Sequence, residues 1–157
     1  MILVTGGSGF IGANFLNFMV PKYKNIKFHN IDNLTYAGKI KNVESINRFK
    51  NYTFSKVDIC NLKKLSDIIK KFKPTIILHF AAESHVDKSI VGPSKFVQTN
   101  IVGTSILLEE SVKYYNKLSS ASKDNFKFIH ISTDEVFGDL PDTCLLYTSD
   151  AADDRNC

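Results

Sequence analysis

Cysteine is scarce in this 157-residue chain, with only Cys60, Cys144 and Cys157. Three thiols do not make a disulfide framework, so a reducing compartment, the cytoplasm, is the expected setting. No apolar run approaches the roughly 18 residues of a membrane span. Met1 leads straight into Ile2-Leu3-Val4 with no basic segment and no cleavage site, so no secretory leader is expected. The four histidines and three cysteines lack metal-ligand spacing, and no metal site is expected. Zinc-finger spacing, an RNA-binding signature and a basic helix are all missing. The net charge of +4 therefore reads as scattered surface lysines, with no nucleic-acid partner. What is present, 43% apolar and 23% charged residues, is ordinary globular composition and fits one domain.

The composition is uneven. Four of the eight glycines stand between Gly6 and Gly12. Residues 141–157 hold two of the three cysteines and are acidic, with Asp142, Asp150, Asp153 and Asp154 against Arg155 alone.

Short apolar strands alternate with amphipathic helices. Strands are expected at Ile2 to Thr5, Ile26 to Ile31, Tyr52 to Val57, Thr75 to Phe80 and Phe126 to Ile131. Between the first two, Ile11, Phe15, Phe18 and Met19 mark an apolar helix face that Pro21 ends. Asn61 caps a second helix with the stripe Leu62, Leu65, Ile68, Ile69 and Phe72. Pro93 opens a long helix whose expected inner face is Val97, Ile101, Thr104, Leu108, Val112 and Tyr115. The first four strands start about 25 residues apart, the spacing of repeated β-α-β units. This predicts an α/β fold, a Rossmann-like doubly wound parallel sheet with ligands beyond the carboxyl ends of its strands.

Gly6, Gly9 and Gly12 form a G-x-x-G-x-x-G loop between the first strand and the first helix. A dinucleotide pyrophosphate needs a tight turn there, close backbone approach, and a helix N-terminus aimed at its charge. Asp32 ends the second strand, where an acid bonds the adenosine ribose hydroxyls and repels a 2′-phosphate, favouring NAD over NADP. Asp58 and Ile59, just after the third strand, are placed to meet an adenine edge. At the end of the fifth strand, Thr133, Asp134 and Glu135 are successive polar groups facing the expected crevice. Two adjacent carboxyls can have their pKa values pushed apart and divide acid and base roles, although capping or a turn would also use them. His79, inside a strand, reads as a core imidazole, and Cys60 as a small helix-entry residue.

Several stretches carry a narrower resemblance. They are Val4 to Gly12, Asn30 to Gly38, His79 to Ile90, Thr99 to Thr104 and His130 to Leu140. Together they resemble the N-terminal half of the dTDP-glucose 4,6-dehydratase family, within the NAD-dependent epimerase/dehydratase branch of the extended short-chain dehydrogenase/reductases. The resemblance covers residues 1–140. It implies NAD as cofactor, a nucleotide sugar (dTDP-glucose) as substrate, and a parent enzyme that is a homodimer through the helix around Pro93 to Asn116. It implies that Glu135 removes the C5 proton, Asp134 protonates the departing C6 hydroxyl, and Thr133 hydrogen-bonds the C4 oxygen. It further implies an NAD site of Gly6, Gly9, Phe10, Ile11, Gly12, Asp32, Asn33, Leu34, Thr35, Asp58, Ile59, Phe80, Ala81, Ala82, Glu83, Ser84 and Thr99. Ser84 and His85 would reach the sugar.

The chain departs from the family in three places. Phe137 stands where the family has Tyr. The superfamily's Tyr-x-x-x-Lys pair, expected downstream of Glu135, is missing: the one tyrosine there is Tyr147, followed four residues later by Ala151. Residues 141–157 do not match the family and read as a non-native tail, expected to pack poorly. The expectation is thus an incomplete NAD-binding domain at 1–140, ending before a C-terminal substrate domain. A UDP- or CDP-glucose 4,6-dehydratase, a 4-epimerase, or a catalytically silent NAD-binding module are the competing readings.

Overall fold

In a computed structural model of the chain, residues 1–133 and Val136 are described. Asp134, Glu135, Phe137 and the expected tail at 141–157 lie outside them. Five parallel strands form one sheet: β1 (Ile2–Thr5), β2 (Phe28–Asp32), β3 (Tyr52–Lys56), β4 (Ile76–His79) and β5 (Lys127–His130). Their order is β3-β2-β1-β4-β5, so the chain reverses direction across the sheet between β1 and β4. The doubly wound fold expected from the strand spacing is the fold observed.

The helices cover both faces, as continuous apolar strands require. Helix α1 (Phe10–Lys22) and a 3₁₀ turn at Ile40–Ile46 pack on one face, over Ile2, Val4, Phe28 and Leu78. On the other, α2 (Leu62–Phe72) and α5 (Thr104–Asn116) pack over Leu3, Ile31 and Ile77. Asn61 caps α2 as expected, its Oδ1 accepting the Lys64 amide at 3.0 Å. The stretch before α5 runs through α3 (Val86–Val91), α4 (Pro93–Phe96) and widened π-type turns at Val97–Gly103. A short α6 (Ser120–Asn125) precedes β5. Among the described residues no helix is long and apolar enough to cross a membrane.

Two helix faces differ from the sequence expectation. In α1 the buried residues are Gly12, Ala13, Leu16 and Val20, while Ile11 and Phe18 are 60% and 62% exposed. The phase is set by Gly12, where an added Cβ would stand 2.5 Å from the Gly6 carbonyl oxygen. That close approach outranks side-chain bulk in choosing the inward face. Pro21 also sits inside the last turn of α1, not beyond it. In α5 the inward residues are Leu107, Glu110 and Ser111, preceded by Gly103, which meets Ile59. Val97, Ile101, Leu108, Val112 and Tyr115 are exposed instead. Each widened turn shifts the helical phase, so counting by 3.6 from Pro93 selects the wrong side.

Two imidazoles are buried within the sheet. His79 has both ring nitrogens bonded, Nδ1 to the Thr5 hydroxyl at 2.6 Å and Nε2 to the Thr104 hydroxyl at 2.9 Å. It is the core histidine expected. His29 bonds Thr53 through Nδ1 at 2.8 Å and stacks on Phe72, and its buried Nε2 has no partner. Burial, reinforced by His130 for one and Lys71 for the other, holds both down at about 4. The folded state therefore keeps them neutral, whereas the unfolded chain takes up protons below about 6.5. Their contribution is whole above that pH and is lost as pH falls toward 4, on the order of 3 kcal/mol per site. Urea titrations at pH 7 and pH 4.5 are expected to show this loss, and His29→Leu is expected to remove about half of it.

Candidate functional site

The crevice opens where the sheet reverses, at the carboxyl ends of β1 and β4. Gly6 turns there with φ +69°, and a Cβ on it would lie 2.5 Å from the Ala81 nitrogen. The glycine loop and the β4 exit are therefore in backbone contact, which only glycine permits. Gly9 precedes the first turn of α1 and no side chain caps that helix, so its leading N–H groups remain available to an anion.

Asp32 organises the neighbouring wall. Its Oδ2 accepts the Ser8 amide at 2.9 Å and its Oδ1 accepts the Leu34 amide at 2.8 Å. A Cβ at Gly38 would collide with this carboxylate, so Gly38 leaves it room. The Ser8 carbonyl in turn accepts the Lys39 amide at 3.1 Å and the Asn42 side chain at 2.9 Å. Leu34 takes φ +56° within this turn. Asp58 is held similarly: Oδ1 accepts the Cys60 amide and Oδ2 the Asn33 side chain, each at 2.8 Å.

These walls border an open cleft. Of the residues expected around NAD, Gly6, Gly9, Asp32, Asn33 and Thr35 line it. So do Asp58, Ile59, Phe80, Ala81, Ala82, Glu83 and Thr99. Gly12 lies behind the loop, Leu34 is not among the lining residues, and Phe10 and Ile11 are exposed on the first turn of α1. Ser84 and His85 are exposed beyond Glu83, and Thr133 is exposed after β5. Asp134 and Glu135, the expected acid and base, fall outside the described residues.

Four lining residues went unforeseen: Ile31, Ala37, Gly38 and Val57. Gly38 carried a signal, since a glycine six residues after a strand-ending acid can be there for the acid's sake. Asn100 was also missed as a support. Its side chain accepts the Glu83 amide and donates to the Glu83 carbonyl, both at 2.8 Å, fixing the cleft's far lip. Cys60 is half-buried against the Gln98 carbonyl and burial pushes its thiol up, which fits a packing role. Among the described residues no group of three or more His, Cys, Asp or Glu could hold a metal.

Tyr-x-x-x-Lys spacing occurs upstream, at Tyr23–Lys27 and Tyr52–Lys56. Neither pair serves the crevice. Tyr23 follows the far end of α1, and the buried Tyr52 hydroxyl accepts the Asn30 side chain at 3.0 Å.

Comparison with known proteins places these features. Residues 3–150 match the family model described as GDP-mannose 4,6 dehydratase. The chain is 46% identical over 140 residues to dTDP-glucose 4,6-dehydratase of Salmonella typhimurium, covering 89% of this chain and 38% of that protein. It is 49% identical to the Haemophilus influenzae enzyme of the same name, covering 88% and 41%. A crystal structure of dTDP-glucose 4,6-dehydratase from Bacillus anthracis in complex with NAD superposes with a TM-score of 0.74 at 40% identity, covering 91% and 40%. The chain thus spans about two fifths of the length of these relatives.

Asp32→Ala leaves the Ser8 and Leu34 amides without their acceptor. The expected cost is about 3 kcal/mol in a urea titration, and Asp32→Asn, which keeps one acceptor oxygen, is expected to cost about half of that.

Proposed function

We propose, for a chain that belongs to the GDP-mannose 4,6 dehydratase family, that it is the NAD-binding part of a dTDP-glucose 4,6-dehydratase. The observation that carries this reading is the glycine-lined cleft closed on one side by Asp32, at the sheet's reversal point. A Cβ at Gly6 or Gly12 would meet backbone, as expected where a pyrophosphate must come close. The free N–H groups at the start of α1 suit its charge, and the Asp32 carboxylate suits ribose hydroxyls and disfavours a 2′-phosphate.

Bound there, NAD supplies a hydride acceptor that later returns the hydride to the sugar. The protein's share is proton transfer and orientation. Oxidation at C4 acidifies the C5 proton, which Glu135 removes while Asp134 protonates the departing C6 hydroxyl, so that water leaves. Thr133 orients the C4 oxygen, and Ser84 and His85 flank the sugar. Positioned acids and bases of this kind contribute about 10²–10⁴-fold each. Epimerisation at C4 would not need the Asp134–Glu135 pair, which favours dehydration. The product is a 4-keto-6-deoxy sugar nucleotide, made in the cytoplasm.

The parent is proposed to be a homodimer through the exposed apolar face of α5 and the turns before it, at Val97, Ile101, Leu108 and Val112. Oxidation at C4 also needs a Tyr and Lys pair, and no Tyr-x-x-x-Lys follows Glu135 in this sequence.

Calorimetry is expected to show NAD binding to the 157-residue chain, with NADP weaker by about tenfold or more. Incubation with dTDP-glucose and NAD is expected to yield no 4-keto product. Absence of NAD binding would remove the reading, and product above background would remove the need for the missing pair.

A further inference from the structure

Resting on the cofactor reading above, we propose that Asn30 is a positioning residue that holds the glycine loop in place for a pyrophosphate, acting through Ser8. Asn30 stands in the middle of β2, between Val4 of β1 and Phe54 of β3, and is fully buried. An apolar side chain would fill this space without needing partners, whereas a buried amide costs stability unless it is bonded. The bonds it makes run toward the loop and the next strand. Nδ2 donates to the Ser8 hydroxyl at 3.3 Å and to the Tyr52 hydroxyl at 3.0 Å. Oδ1 lies against Gly7, where an added Cβ would collide with it and would stand 2.6 Å from the Leu16 side chain. Oδ1 itself is buried with no partner among the described residues, so the amide is not there for stability alone.

Ser8 is the point where these bonds reach the loop. It is buried between Gly6 and Gly9, and neither Ser8 nor Asn30 lines the cleft, so their effect on a ligand is indirect. Asn30 and Asp32 are two residues apart on β2 and share one face of the sheet. They hold Ser8 at two atoms: Asp32 accepts its amide at 2.9 Å, and Asn30 donates to its hydroxyl. The Tyr52 hydroxyl takes one amide proton of Asn30 and leaves the other for Ser8. An anion at the start of α1 is held by several N–H groups at once, each within a narrow range of distance. A small lift of the loop lengthens all of them together.

A loop role and a merely structural role differ in which ligands they touch. Calorimetry of the 157-residue chain with NAD reads the whole site. Ligand-observed NMR with adenosine, which has the base and ribose but no phosphate, reads the site without the loop. Asn30→Ala is expected to weaken NAD about fivefold and adenosine less than about twofold. Ser8→Ala is expected to do the same, and the double variant to weaken NAD by no more than about tenfold, because both substitutions break one bond. Independent effects would multiply to about twenty-fivefold and overturn the proposal. Equal losses for both ligands, or no loss for NAD, would overturn it too while leaving NAD binding intact. Should Asn30→Ala not fold, Ser8→Ala decides alone on the same outcomes. Failure of the unaltered chain to bind NAD would overturn the cofactor reading and the loop role with it. Amide exchange gives a check without ligand. The Gly9 amide, bonded across the loop to the Gly6 carbonyl at 3.1 Å, is expected to exchange about fivefold faster in Ser8→Ala. An equal rate in both proteins would count against the proposal.

Discussion

The structure depends on two backbone contacts of one glycine loop that leave no room for a side chain. Gly6 meets the backbone of Ala81, and Gly12 meets the carbonyl of Gly6. The first contact draws the β1 exit against the β4 exit, where the sheet reverses direction. The second presses the start of α1 onto the loop and sets which face of the helix turns inward. From there the order is inherited. Ser8, held between the two glycines, gives its amide to Asp32 and its carbonyl to Lys39 and Asn42. A few ångströms of missing side chain thus place the β1 loop, the β2 exit and the turn beyond it. The cleft is what remains between them.

Much of this was legible in the sequence, and the gaps have physical causes. Strand positions followed from apolar runs about 25 residues apart, and the cap at Asn61 followed from its residue type. Twelve of the seventeen residues expected around NAD line one cleft, because all but Thr99 lie at or just beyond the carboxyl end of a strand and the topology gathers those ends. Helix faces were harder. Ile11 and Phe18 read as inward because they are large, yet a glycine contact fixed the phase of α1. In α5 the stripe Val97, Ile101, Leu108 and Val112 is truly apolar, but it is not the side that meets this sheet. Periodicity tells that a face needs a neighbour and says nothing about which neighbour. The supports Gly38 and Asn100 were missed because their work is done on backbone, and residue type alone does not announce that.

The same distinction separates binding from chemistry along the chain. The groups that shape the cleft come from β1 through the turns before α5, and the packing of the first four strands determines them. The groups expected to move protons follow β5, at the edge of the described sheet, where Ile129 and, just beyond the strand, Ile131 are exposed. A catalytic carboxyl needs a pocket that restricts water if its pKa is to be displaced. A strand open on one side supplies only part of such a pocket. The cleft at the carboxyl ends of β1 and β4 has its walls within the described residues.

His79 links these two parts. It reaches Thr5 at the glycine loop and Thr104 at the start of α5, and its ring lies 4.8 Å from that of His130 on β5. A neutral imidazole can donate from one nitrogen and accept at the other, which lets it join two hydroxyls without leaving either unpaired. Lysine would bring a charge into the sheet, and leucine would strand both threonines. The Thr5 hydroxyl also accepts the Ala81 amide at 3.3 Å, so the bridge ends at the contact that opens the cleft. Keeping His79 neutral therefore matters to the site as well as to stability: a proton on it would remove the acceptor nitrogen and disturb the point where β1 and β4 part.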